Sequence, residues 1–146
     1  MSKKFAQGFY EMINPQKYVG KTKPYYRSGW ENRIMIMFDT HEHILQWASE
    51  PLKIPYRHPI TGKGTVYVPD FLITYRNRSD QIRAELIEVK PLKQCMVEDK
   101  MKPHERATVA VNHAKWAMAQ KFCQQNGLFF RVITEQEIFY QGRKKR

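Results

Sequence analysis

The chain has 146 residues, 42% of them hydrophobic, and its 25 Lys and Arg against 14 Asp and Glu give a formal net charge of +11. That length suits a single domain over residues 1–146 with one core, and the basic excess favours a polyanionic partner, nucleic acid first. No apolar run approaches the ~20 residues that cross a bilayer, and Met-Ser-Lys-Lys leads into no signal-peptide core, so no membrane partner is expected and the protein reads as soluble and intracellular.

Residues 1–27 mix Lys, Tyr, Gly and Pro without a sustained period, which predicts an arm lying on the domain or ordering on a partner. Lys17, Lys21, Lys23 and Arg27, interleaved with Tyr18, Tyr25 and Tyr26, are candidates to hold a phosphate backbone and stack on bases. Ser28 followed by Glu31 is a capping box opening a helix to about Phe38 or Asp39, with Trp30, Ile34, Met37 and Phe38 on one face. In that box the Glu31 carboxylate is expected to accept the Ser28 backbone N–H. Short strands follow at Ile44–Trp47 and Leu52–Tyr56, the second at an edge because of Pro55.

Thr65 to Tyr75 is the densest run of β-branched and aromatic residues and predicts one strand. A turn at Arg76–Asp80 leads to a partner strand, Ile82 to Lys90, which Pro91 ends. Lys93 to Glu105 reads as a polar connection. Ala107, Ala110, Val111, Ala114, Ala117, Met118 and Phe122 then follow helical spacing to a stop at Asn126-Gly127. Leu128 to Ile133 predicts a buried strand, Thr134 to Glu137 a second capping box, and residues 141–146 a basic tail. The order predicts an α/β domain with a mixed sheet flanked by helices, the long helix serving as crossover.

The chemistry concentrates on the hairpin. Asp70 alone is weak evidence, since Pro-Asp pairs are common in turns. Glu88 and Lys90 are two apart and share one face of their strand, while Ile87 and Val89 point to the other. Two carboxylates and an ammonium on neighbouring strands suit phosphodiester hydrolysis, in which carboxylates bind Mg²⁺ and the cations stabilise the charge growing on phosphate. The bland alternative for Glu88 and Lys90 is a surface ion pair worth under ~1 kcal/mol.

Together, Tyr26-Arg27-Ser28-Gly29-Trp30-Glu31, Trp47-Ala48-Ser49-Glu50, Ile54-Pro55-Tyr56, Tyr67-Val68-Pro69-Asp70-Phe71, Glu88-Val89-Lys90-Pro91 and Phe129-Phe130-Arg131-Val132-Ile133-Thr134-Glu135 resemble the PD-(D/E)xK nuclease superfamily. Within it they resemble the head-completion nucleases of T-even-like tailed phages, relatives of a transposase endonuclease subunit. The resemblance implies a restriction-endonuclease-like core with a catalytic β-hairpin. It also implies Mg²⁺-dependent DNA cleavage, with Mn²⁺ as substitute, and processing of packaged DNA during head completion.

Carried onto this chain, Asp70, Glu88 and the Val89 carbonyl would hold metal, Glu31 would complete the acidic set, and Lys90 would orient water or stabilise phosphate. Superfamily members also use a Gln or Lys on the following helix, for which Lys115, Gln120 and Lys121 are candidates; Lys115 and Lys121 are also candidates for DNA contact. The resemblance places the protein in the cytoplasm of an infected bacterium, or retained in the virion. Portal, head or neck proteins are then candidate partners, and cutting both strands at once would call for a homodimer.

The rival reading is a basic DNA-end- or portal-binding structural protein with no activity. An RNA-binding module is disfavoured by the lack of an RRM-type aromatic strand motif or a KH-type GxxG loop. His41 and His43 lack the second pair a zinc site needs. Cys95 and Cys123 are too few and too separated for a disulfide framework or CxxC site and are expected to be structural, in a reducing compartment. Trp30, Trp47 and Trp116 fall in apolar-periodic segments and are expected in the core or at an interface.

Overall fold

The computed structural model describes residues 7–140, so the basic tail and residues 1–6 of the arm lie outside it. Its central element is a four-stranded sheet in the order β3-β6-β7-β8, formed by β3 (Ile44–Ser49), β6 (Phe71–Arg76), β7 (Ile82–Val89) and β8 (Phe129–Ile133). β3, β6 and β7 run antiparallel in turn, and β8 pairs parallel to β7, from Glu85↔Phe129 to Val89↔Ile133. A parallel neighbour requires a crossover, and the long helix α2 (Pro103–Asn126) provides it.

The alternation of β7 is what places a carboxylate inside. Ile87 and Val89 join Ile34, Met35 and Phe38 of helix α1 (Gly29–Thr40), with Trp47 and Phe71, in a core on one face of the sheet. Leu86 packs on the opposite face with Ala119 and Cys123 of α2 and with Ile54, Tyr56 and Tyr67. Glu88 shares the face of Leu86 and is 4% exposed. Both faces of β7 are therefore covered over Leu86–Val89, and around Glu88 the half-exposed strand of a surface ion pair is not what the chain builds.

The long strand expected from Thr65 to Tyr75 is two strands. β5 (Gly64–Tyr67) pairs with β4 (Ile54–Arg57) in a separate two-stranded sheet, and β6 begins only at Phe71. The break falls at Val68-Pro69-Asp70, where Pro69 has no N–H for a ladder and the chain changes partners from β4 to β3 and β7. Asp70 thus precedes its strand rather than lying within it.

The described part of the arm is packed into the domain. β1 (Gly8–Phe9) pairs with β2 (Tyr25–Tyr26), and Tyr18 bridges to Trp47. Asp39, fully buried at the end of α1, accepts hydrogen bonds from the Tyr10 hydroxyl at 2.7 Å and from the backbone N–H groups of Ile13 and Asn14 at 2.6 and 2.9 Å. Helix α2 buries Val109, Asn112, Ala119 and Cys123, packs the expected Val111, Ala114 and Phe122 beside them, and leaves Ala110, Ala117 and Met118 exposed. Buried Asn112 is satisfied on the packed face, its amide donating to the Gln94 carbonyl at 2.9 Å. The second capping box forms as expected, with Glu137 accepting from the N–H and hydroxyl of Thr134 at the start of α3 (Glu135–Tyr140).

Candidate active site

At the end of the sheet, the last β6–β7 pair is Phe71↔Ile87, which leaves Asp70 beside Glu88 one step beyond it. The Val89 N–H donates to Asp70 Oδ2 at 2.8 Å. Glu88 is held at both oxygens: the Tyr67 hydroxyl donates to Oε1 at 2.7 Å, and Lys90 Nζ lies 3.2 Å from Oε2. Lys90, just past β7, donates its backbone N–H to the Ile133 carbonyl, which fixes the start of its side chain against β8.

The N-terminal end of α1 reaches the same place. Ser28 caps it through its hydroxyl, which accepts the Glu31 N–H at 3.1 Å. The Glu31 carboxylate, however, accepts the N–H of Arg27 at 2.9 Å and not that of Ser28, so the expected reciprocal box is shifted by one residue. Glu31 and Val89 both line an open cleft of about 430 Å³ with Arg27, Ser28 and Pro91.

Electrostatics ties these groups together. Burial first, then the neighbouring Glu88, pushes the Asp70 carboxyl up to about 8; Glu31 adds to this, while the Val89 N–H and Lys90 oppose it. Burial also raises Glu31, with Glu50 and Glu88 adding to it against the opposing pull of Arg27. The Tyr67 hydroxyl is raised well above the ordinary phenol range by burial and by Glu88, so it remains a donor.

Two residues of the site carry no signal in a one-dimensional reading. Tyr67 belongs to the small sheet, and only its fold onto β7 brings its hydroxyl to Glu88. Glu50 follows β3 in a left-handed conformation, φ 48°, unusual for a residue with a side chain. Its N–H donates to the Asp70 carbonyl at 2.8 Å, and its carboxylate receives the guanidinium of Arg27. Arg27 thereby links Glu31, through its backbone, to Glu50, through its side chain.

The basic candidates separate. Lys17 is committed to the end of α1, its Nζ donating to the carbonyls of Asp39 and His41. Lys23 pairs with Glu11 at 3.7 Å and lies over the Phe9 ring, and Lys21 is exposed. On α2, Lys115 lies 5.7 Å from the centre of the Tyr67 ring, beside the residue that holds Glu88, whereas Gln120 and Lys121 are exposed. Of these three helix candidates, Lys115 is the one brought beside the cluster.

The donor set is hard oxygen throughout: a half-buried carboxylate, Asp70, with one oxygen engaged by an amide, the buried carboxylate of Glu88, and a third reached from α1. Mutual repulsion among such carboxylates is what a divalent cation relieves, so the residues fit one. Among the described residues no three His, Cys, Asp or Glu side chains form a ready-made ion-binding group; Glu88 is drawn to Tyr67 and Lys90 instead.

The chain matches the family of the TnsA-like endonuclease N-terminal domain over residues 41–135, which contain Asp70, Glu88 and Lys90 but not Glu31. It is also similar to the head completion nuclease of Enterobacteria phage T4, with 33% identity over 135 residues covering 84% of this chain and 86% of that protein. No helix among the described residues is long and apolar enough to cross a membrane. With that match spanning most of the sheet and both strands of the hairpin, the chain belongs to the TnsA-like endonuclease family, in an α/β fold of the restriction-endonuclease-like kind.

Proposed function

We propose that this protein is a metal-dependent DNA endonuclease of the PD-(D/E)xK type, in which Asp70, Glu88, the Val89 carbonyl and Glu31 hold a divalent cation, Mg²⁺ or Mn²⁺. The observation that carries the reading is geometric: Asp70 lies beside Glu88 at the end of the sheet with one oxygen on the Val89 N–H, Lys90 Nζ is 3.2 Å from Glu88, and Glu31 lines the cleft that Val89 shares; burial and the neighbouring carboxylates push the Asp70 carboxyl up. Carboxyl groups raised in this way by burial and by a neighbouring carboxylate cluster at functional sites.

A divalent cation bound there supplies Lewis-acid polarisation of the phosphate and makes water more acidic. The protein's own groups do the rest. Tyr67 holds Oε1 of Glu88 in place, and Asp70 is fixed by the Val89 N–H. Lys90 is shared with Glu88, and its ammonium can turn to the phosphate when Glu88 engages a cation. Glu50 and Arg27 hold the end of α1 against the strand end, and so set the position of Glu31.

The similarity to a phage head completion nuclease supports a role for this chain in processing packaged DNA ends within an infected bacterium. The alternative is a DNA-end- or portal-binding head protein that keeps the fold without activity, and the +11 charge would serve it equally well. Cleavage of supercoiled, linear, single-stranded and branched DNA separates the two, with Mg²⁺, Mn²⁺, Ca²⁺ or chelator, beside Asp70→Asn and Glu88→Gln. Cutting only with Mg²⁺ or Mn²⁺, lost in both folded variants that still bind DNA, is the expected result. Equal DNA binding by all three proteins with no cleavage of any substrate would leave the structural role.

A further inference from the structure

We propose that the β4–β5 hairpin, residues 51–69, is the element that grips the DNA backbone beside the acidic cluster; this rests on the nuclease reading above. Three kinds of observation carry it. The first is placement. The Glu50 N–H donates to the Asp70 carbonyl at 2.8 Å, so the excursion between them leaves and re-enters the sheet at the acidic cluster. Its inner face supplies Tyr67 to Glu88, so the base of the hairpin is fixed at the site.

The second observation is charge. Residues 51–69 contain Lys53, Arg57 and Lys63, with His58, and no Asp or Glu. The Lys53 and Lys63 side chains are exposed and make no ion pair or hydrogen bond with the described residues. This contrasts with the arm, where Lys17 is spent on helix carbonyls and Lys23 faces Glu11. Unpaired cations in an acid-free segment suit a polyanion, and they suit a neutral or basic protein surface poorly.

The third is a pre-shaped tip. The Arg57 guanidinium donates to the Gly62 carbonyl at 2.7 Å, His58 exchanges backbone hydrogen bonds with Gly62 and Lys63, and His58 Nδ1 accepts the N–H groups of Ile60 and Thr61. Gly62 takes φ 74°, which closes the turn without strain. A tip already ordered loses little entropy when it binds. Ile60 is 62% exposed at that tip, and Val66, opposite Pro55 on the outer face, is 51% exposed. Apolar groups flanked by lysines suit the sugar faces between phosphates. At about 3.3 Å per residue, the four strand residues Ile54–Arg57 reach about 13 Å before the turn, comparable to a DNA groove about 12 Å wide.

The test is duplex binding by fluorescence anisotropy in chelator across a salt series, followed by steady-state cleavage with Mg²⁺, for wild type, Lys53→Gln/Lys63→Gln and Ile60→Ser. Thermal unfolding checks the fold of each. Removing two phosphate contacts lowers the slope of log K against log salt by about 1.8 and weakens binding about tenfold, and the loss in cleavage falls on KM rather than kcat. Ile60→Ser weakens binding without changing the slope. Wild-type affinity and slope in the folded double variant, in a protein that does cut DNA, would overturn the hairpin assignment alone and turn the exposed Ile60 toward a protein partner. A wild type that neither binds nor cuts duplex would remove the nuclease reading and this proposal with it.

Discussion

Asp39 and Asp70 are the same residue type taken out of water in two parts of one small domain, and they are treated oppositely. Asp39 is pushed up by its burial, but the Tyr10 hydroxyl, the N–H groups of Ile13 and Asn14 and the charge of Lys17 more than offset this and hold it below the usual carboxylate range. Asp70 receives one N–H, from Val89, and faces Glu88 and Glu31, so it is driven up to about 8. The first carboxylate pins the arm to α1 and is complete within the chain. The second is left under-compensated within the chain, which is what the proposed cation would relieve.

The largest effect expected from breaking this contrast is at Asp70. Asp70→Asn lowers DNA cleavage by about 10³-fold or more, while its melting temperature in metal-free buffer at pH 8 equals or exceeds that of wild type, because a repelled charge has been removed. Loss of stability along with activity would make Asp70 structural. Asp39→Ala does the reverse: stability falls by about 3 kcal/mol, since a buried hydroxyl and two N–H groups lose a charged acceptor, and limited proteolysis then cuts within residues 7–18.

A smaller effect is expected at Tyr67. Tyr67→Phe leaves the ring packed but frees Oε1 of Glu88, and a supporting hydrogen bond of this kind is worth about 10-fold to 100-fold in activity or metal affinity. The loss should appear in kcat and in Mn²⁺ affinity, not in KM for DNA; an unchanged kcat would show that Glu88 needs no such support. The smallest effect is the pH dependence of metal-free stability. The Asp39 contribution is present above the ordinary carboxylate range and lost as pH falls through and below it. The Asp70 contribution has the opposite sign, present below that range and lost as pH rises through about 8. Melting temperature should therefore decline from pH 6 to about 8 and level off above it in wild type, and decline less steeply in Asp70→Asn.

What could be read in the sequence was local. The cap at Ser28, the β6–β7 hairpin with Glu88 and Lys90 on one face, the crossover helix ending at Gly127 and the Thr134 cap each depend on spacings of a few residues. The break at Pro69 was present as a signal, but the run of β-branched and aromatic residues around it masked the change of partner. The Asp39 knot joins residues 25 to 29 positions apart, and the packing of the arm follows from it, so a segment with no period of its own gave no warning. Tyr67 and Glu50 are set in the site by tertiary pairing, and the polar Asn112 on the packed stripe of α2 finds its partner, Gln94, 18 positions away.

The most direct test of the contrast is a calorimetric titration of Mn²⁺ into wild type, Asp70→Asn and Asp39→Asn at pH 8, each checked for folding by circular dichroism. The account predicts binding by wild type and by Asp39→Asn, and none by Asp70→Asn. Binding of Mn²⁺ by Asp70→Asn with wild-type affinity, or no binding by folded wild type, would contradict it.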